Sequence, residues 1–258
     1  MNHIPQNLSA WILQGITTLS FICVLVSAGL AVCAVPHFPT QALSQAFSMD
    51  SISPFTKDEL VTMAIETKDY TVGNHNFDAL LDTMRKTNAS CEERGDDDPI
   101  GIDYSTLTHF DETTPLNDRY ILTPEAITHL DDVYDVLMHV RTFALCMLTI
   151  AVGMFIHYFR TDRAQLGRLL MYAGGITLGL FALFGLYAVI SFDHLFDTFH
   201  GFFFNEGSWV FDYDSLLICM FPIPFWIGMA LIWFITTATT CLICLIMGKL
   251  LSNYGKTS

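Results

Sequence analysis

Four long stretches of the chain carry almost no charge, and polar segments of unequal length separate them. Ala10 to Val35 contains no acidic or basic residue. Val136 to Phe159 is apolar apart from His139, Arg141 and His157 near its ends. Leu169 to Phe192 is again uncharged, and so is Leu216 to Gly248, where Pro222 and Pro224 place the start of the helix near Ile223. A hydrocarbon core of roughly 30 Å needs about 20 apolar residues in helix. The runs therefore predict transmembrane helices at residues 10–35, 136–159, 169–192 and 223–248. One such run could be the buried helix of a soluble protein; four make that reading untenable. The first run lacks flanking Lys or Arg and is too long for a signal-peptide core, so it reads as a retained helix.

The polar segments read as helical rather than β. Thr56-Lys57-Asp58-Glu59 is a capping box opening a helix through about Lys68. A second helix is expected from Asn76 to Lys86, with Phe77, Leu80, Leu81 and Met84 on one face. Asn88 to Asp118, including Asp96-Asp97-Asp98-Pro99, is turn-rich and acidic and reads as a solvated loop or insert. Thr123-Pro124-Glu125 then opens another helix, with Thr as N-cap and Pro at the first helical position. No Gly or Pro interrupts it before Gly153. Continuous with the second span, it would run roughly 54 Å at about 1.5 Å per residue, so its first turns stand beyond the bilayer. Phe192 to Phe203 is amphipathic: Phe192, Phe196, Phe199 and Phe203 form an apolar stripe, expected to be buried. Asp193, Asp197 and His200 form a polar one.

Charge gives these segments a direction. The whole chain of 258 residues carries a formal net charge of −14. Residues 36–135 hold 20 acidic against 6 basic residues, and residues 193–214 add five acids and no base. Arg160, Arg163 and Arg168 dominate the loop 160–168, and Lys249 and Lys256 lie in the tail 249–258. Basic loops stay in the cytoplasm. The expected architecture is an all-α integral membrane protein of four transmembrane helices with a mainly helical, acidic extracytoplasmic domain at 36–135. An interfacial segment at 193–222 lies on the same side, and both termini are cytoplasmic. Trp209, Trp226, Phe202, Phe203, Phe204 and Tyr213 cluster beside the outer span ends as an aromatic belt. The acidity excludes a nucleic-acid partner, which needs a basic face, and leaves membrane lipid as a partner. Of seven Cys, only Cys91 and Cys219 could meet outside, and no spacing demands a bridge or a zinc site.

Nine His are present. His3, His37, His75 and His109 read as solvated, His157 as an interfacial anchor, and His139 and His194 as ambiguous. His129 and His200 differ: each has carboxylates one helical turn away, Glu125 and Asp132 in one case and Asp197 in the other. Both fall at the expected outer membrane boundary, where ionisable groups are costly and suggest function. The bland alternative is that each simply pairs with a neighbouring carboxylate. No serine elbow, catalytic cysteine motif or phosphate loop is present, which leaves acid–base chemistry or a metal. Two imidazoles could divide an acyl transfer: one takes a proton from an attacking amine, and the other serves the departing alkoxide or the oxyanion.

Two blocks of sequence resemble a known family. Leu122 through Val133, with Glu125, His129, Leu130, Asp132 and Val133 at its signature positions, is similar to the lipoprotein intramolecular transacylases (Lit), four-helix membrane proteins of Gram-positive bacteria. A second block resembles the same family: Phe199-His200-Gly201-Phe202-Phe203-Phe204, then Trp209-Val210-Phe211-Asp212 and Phe221-Pro222. Phe77-Asp78-Ala79-Leu80-Leu81 is weakly similar to its outer-domain segment. Tyr134, where the family has a basic residue, and the acidic stretch 88–118 depart from it. The resemblance implies an enzyme of the bacterial cytoplasmic membrane that moves the sn-2 acyl chain of a diacylglyceryl-modified lipoprotein to the α-amino group of its own N-terminal Cys. Such an enzyme needs no cofactor, since an amide is more stable than the ester it replaces. The family histidines carry over onto His129 and His200 at the outer leaflet, with Glu125, Asp132, Asp197, Arg141 and Trp209 as orienting or substrate-binding residues. Arg141 reads first as the partner of a carboxylate within the bundle, with a carbonyl or lipid oxygen as its other role. Two other classes remain open: a divalent-metal enzyme or sensor using His129, Asp132 and His200, with His194 as a further candidate ligand, and a non-catalytic accessory protein.

Overall fold

The structure, a computed structural model, describes residues 6–94 and 117–254. Readings of His3, His109 and most of the acidic stretch, 95–116, lie outside the described residues. The order is α1 (Gln6–Ala34), α2 (His37–Phe47), α3 (Lys57–Lys68), a π-helical turn (Asp69–Gly73), α4 (Phe77–Glu93), α5 (Pro124–Thr161), α6 (Arg163–Ile190), α7 (Phe192–Phe203), α8 (Leu216–Met220) and α9 (Ile223–Tyr254). No strand occurs among the described residues. Four of the helices, α1, α5, α6 and α9, are long and apolar enough to cross a membrane. The chain divides into two compact units, one drawn from Met1–Val32, His139–Phe192 and Leu231–Ser258, the other from Cys33–Met138 and Asp193–Ala230.

The first unit is built from the four long apolar helices. Phe21, Leu25, Leu166, Leu169, Leu170 and Cys241 are buried in its interior, while Leu183, Val189 and Ile190 are exposed on its surface. An apolar exterior around an apolar interior suits a lipid surround. Lipid tails are as apolar as leucine, so these helices associate through close packing rather than burial. Gly167 on α6 shows how: a Cβ there would collide with the Gly248 carbonyl and the Ser252 amide of α9. The indole of Trp233 on α9 donates to the Val26 carbonyl of α1 at 3.1 Å. At the α5–α6 turn Asp162 caps α6, accepting from the Gln165 amide at 2.8 Å.

The second unit packs α2, α3, α4, α7 and α8 with the first turns of α5. Thr56 and Glu59 form the expected capping box, each side chain accepting from the other's backbone amide. Arg94 donates to Glu59 at 2.9 Å, tying the end of α4 to the start of α3. Phe55, Leu60, Met63, Leu80 and Met84 are buried with Ile121, Ile127, Leu216 and Met220 in one core. Two features differ from the sequence reading. Helix α4 runs through Glu93, so residues 88–93 are helix and not loop. Asn88 looks like a turn residue, yet it is 2% exposed; its amide donates to the Met84 carbonyl at 3.0 Å and the Tyr120 carbonyl at 2.9 Å. Burial of Asn88 and Cys91 outweighs their local preference. Helix α2 is not predicted as a separate element: its buried residues are Pro39, Thr40 and Ser44, with Leu43 partly buried against the core, which makes no aliphatic stripe. Cys91 and Cys219 are not bridged; their thiols point to the Pro54 and Asp214 carbonyls.

Candidate active site

The start of α5 sets the direction of His129. The Thr123 hydroxyl accepts from the Ala126 amide at 3.4 Å, Pro124 occupies the first helical position, and Leu122, Ala126, Ile127 and Leu130 are buried in the core of the second unit. With the helix anchored on that apolar face, His129 is also drawn inward and is 8% exposed. His200, near the end of α7, is 9% exposed. Its Nδ1 lies 2.8 Å from the Phe196 carbonyl one turn earlier. A carbonyl can only accept, so Nδ1 carries a proton.

The two imidazoles meet, with ring centroids 6.1 Å apart and planes inclined by 32°. Aromatic side chains wall them in. Phe204 stands edge-on to His129 at 5.0 Å and 5.7 Å from His200. Phe211 lies 5.8 Å from His129. Phe196 is 4.0 Å from His200, and Trp209 stacks on it at 5.8 Å. Phe204 and Trp209 are expected in the membrane belt, Trp209 also as an orienting or substrate-binding residue, and Phe196 as one of an apolar stripe. The spacing of Phe196 four residues before His200 was the available signal for its contact. The stripe itself is not uniformly buried: Phe199 is 52% and Phe203 47% exposed, and Phe202 beside them is 80% exposed. That leaves an apolar face on α7 suited to lipid.

Burial governs the electrostatics. His129 precedes the apolar stretch 136–159, on acid-bearing turns. Burial, and secondarily the neighbouring His200, pushes its pKa down to about 4. Burial also lowers the pKa of His200, partly offset by the hydrogen bond to the Phe196 carbonyl and by the charge of Asp197. Both rings are therefore neutral near pH 7. Neither forms an ion pair with a carboxylate among the described residues, so local pairing does not account for them. The Nδ1 of His129 is buried without a hydrogen-bond partner. A pH dependence of stability follows. Between about 4 and the unfolded value of 6.5 the unfolded chain binds the extra proton, so stability rises with pH across that window and is lost as pH falls through it. The thermal midpoint in detergent should drop between pH 7 and pH 4.5, and His129→Gln should flatten part of that drop. An unchanged slope in the variant would show that His129 is not buried as a neutral ring.

The other candidates are distributed unevenly. Glu125 and Asp197 are exposed and Asp132 is half-buried. Arg141 is exposed on α5 in the first unit and forms no ion pair among the described residues; the expected carboxylate partner is not there. His37 is exposed, as expected, and contacts Asp69 at 2.9 Å, whereas His75, also expected to be solvated, is half-buried and faces Asp131 at 3.6 Å. Among the described residues no three His, Cys, Asp or Glu side chains are grouped as a metal centre requires.

Residues 13–226 match the family described as lipoprotein intramolecular transacylase Lit. No curated protein matches the chain. The fold resembles the membrane-integral lipoprotein intramolecular transacylase Lit of Bacillus cereus at a TM-score of 0.70 and 16% identity, over 98% of this chain and 100% of that one. Two variants of that protein, each with one histidine replaced, also resemble it at TM-scores of 0.64. The alanine variant is 17% identical, covering 98% of each chain. The arginine variant is 16% identical, over 98% of this chain and 96% of that one. At such identities the structures speak for the fold, whereas the family match spans most of the sequence. The chain is an all-helical integral membrane protein that belongs to the lipoprotein intramolecular transacylase family of acyl-transferring enzymes.

Proposed function

We propose that this chain moves the sn-2 acyl group of a diacylglyceryl lipoprotein to the α-amino group of that lipoprotein's N-terminal Cys, with His200 as general base and His129 as oxyanion donor. The observation that carries this is the complementary hydrogen-bonding state of the two facing rings. Nδ1–H of His200 is committed to the Phe196 carbonyl, so the neutral ring presents a lone pair at Nε2. The buried Nδ1 of His129 has no partner. Orphaned buried donors are rarer than under-used acceptors, so the proton of neutral His129 belongs on Nε2, where it can be donated. One ring accepts and the other gives.

The substrate α-ammonium, with a pKa near 8, first loses a proton to solvent. As the amine attacks the sn-2 ester carbon, His200 Nε2 takes the second proton and a C–N bond forms. The carbonyl oxygen becomes an oxyanion, held by His129 Nε2–H. When the C–O bond breaks, His200 returns its proton to the leaving glycerol oxygen, giving amide and alcohol with no net change in the enzyme. Asp197 and the Trp209 face stabilise the transient imidazolium of His200. Glu125 and Asp132 draw the ammonium form toward the site, and Arg141 is assigned to a lipid oxygen. Amine and ester reside on one molecule, so proximity supplies much of the acceleration.

The distribution of charge supports a direction: basic 160–168 and 249–258 in the cytoplasm, acidic 36–135 and 193–222 outside, and the histidines at the outer leaflet, where acylated lipoproteins reside. The reading is tested by expressing the full chain in bacteria whose lipoproteins stay diacylated with a free N-terminus, then sequencing N-terminal lipopeptides by mass spectrometry. N-acyl, S-monoacylglyceryl peptides are expected. Diacylglyceryl peptides alone would overturn the assignment in favour of an accessory role. Conversion lost to a chelator and restored by zinc would replace the proton chemistry with metal chemistry.

A further inference from the structure

The backbone between α3 and α4 leaves its commonest forms twice. Asp69–Gly73 winds as a π-helical turn, a form found mostly as single turns and frequently at functional sites. His75 then stands at φ +52°, in the left-handed region that few non-glycine residues occupy. Such departures persist where the surroundings over-determine them. Here they insert the His75 ring between two tyrosines. Its centroid lies 4.3 Å from Tyr70 and 3.9 Å from Tyr134, with planes inclined by 19° and 18°. Nδ1 lies 3.1 Å from the Tyr70 carbonyl, to which it donates, and Nε2 faces Asp131 Oδ1 at 3.6 Å. The Tyr70 hydroxyl donates to that same carboxylate oxygen at 2.5 Å.

Asp131 and Tyr134 belong to the first turns of α5, two and five residues past His129. At 3.6 residues per turn they lie roughly 200° and 140° around the helix from it. His200, Phe204 and Phe211 hold the His129 side; Tyr70 and His75 hold the opposite side.

We propose that His75 is a positioning residue for the acyl transfer: with Tyr70 it grips Asp131 and Tyr134 from behind and keeps the His129 ring set against His200. This rests on the reading of His129 and His200 given above. A helix start gripped on one side alone can tilt, and a displacement of about 1 Å at a reacting group can cost as much as 10²-fold in rate. The buried, neutral state of His129 depends on the same grip. His200 from α7 is the titratable group that faces it, Glu125 and Asp132 follow within about a turn on its own helix, and loosening would admit water to the ring.

The test uses full-length protein in detergent–lipid micelles with a synthetic diacylglyceryl lipopeptide. His75→Ala is expected to lower kcat about tenfold while KM changes less than threefold. The titration of His129, followed by NMR of the folded protein, should move up from its low value toward the ordinary imidazole range. Tyr70→Phe, which removes one hydroxyl, should shift both in the same direction by a smaller amount. His75→Asn tolerates the left-handed backbone and serves if His75→Ala does not fold; lacking the ring, it should also lose about tenfold in kcat. A merely structural staple would lower the thermal midpoint and leave kcat per folded molecule and the His129 titration unchanged. That result overturns the proposal. His129→Ala in the same assay keeps the two readings apart: full conversion without that imidazole refutes the acid–base assignment, whatever His75 does.

Discussion

His200→Gln is expected to lower kcat for lyso-form synthesis by about 10²–10⁴-fold, the range in which general bases contribute. Glutamine is close to histidine in volume, and its side-chain amide can replace the Nδ1–H donor to the Phe196 carbonyl, so the end of α7 should keep its shape. What it cannot do is take a proton at neutral pH. The loss should therefore appear in kcat, with KM and the thermal midpoint near those of the parent, because the removed interaction belongs to the transition state. The pH profile gives a second signature. In the parent, kcat should fall as His200 becomes protonated, on a limb lying below the ordinary imidazole range because burial disfavours its charged form. In the variant that limb should vanish, leaving a slow rate that rises with the fraction of free amine. Measurement is by release of N-acyl product from a diacylglyceryl lipopeptide across pH 4–9. A variant within threefold of the parent would remove His200 from the proton path.

His129→Phe is the second large effect, expected at about 10²–10³-fold in kcat, the cost of deleting one oxyanion donor from a dry site. Phenylalanine retains the edge-on packing against Phe204, whose centroid is 5.0 Å away, and it spares the chain a buried nitrogen without a partner. The variant should consequently be at least as stable as the parent while being far slower, a combination that loss of packing cannot produce. His129→Gln restores a donor of similar reach and should recover part of the rate. Because both rings act on one tetrahedral intermediate, the double variant His129→Phe with His200→Gln should be little slower than the worse single variant. Full additivity of the two losses would mean that the rings serve separate steps.

Much of the helical framework was readable from local pattern. The Thr56–Glu59 capping box, the Pro124 helix start and the amphipathic run Phe192–Phe203 rest on spacings of three or four residues, and the observed α3, α5 and α7 begin where those signals lie. Helix α4 overran its expected end because Asn88 has a tertiary partner, the Tyr120 carbonyl, that no window of sequence contains. Helix α2 has no aliphatic stripe to mark it, since its buried residues are Pro39, Thr40 and Ser44. The resemblance of the blocks around His129 and His200 to the transacylases was likewise legible, and the family match over residues 13–226 agrees with it.

The 6.1 Å approach of His129 to His200 was not written in any local pattern, nor were the stacking of Trp209 on His200 and the insertion of His75 between Tyr70 and Tyr134. Residue order governs which faces of a helix are apolar, since that depends on neighbours within a turn or two, and it governs which segments suit lipid, since that depends on composition over about 20 residues. Which two faces meet depends on contacts between segments about 70 residues apart, where the free energy is shared among Leu122, Ile127, Leu130, Leu216 and the other buried side chains of the core. Burial also lowers the pKa of both imidazoles, because desolvation acts on a group through everything packed around it.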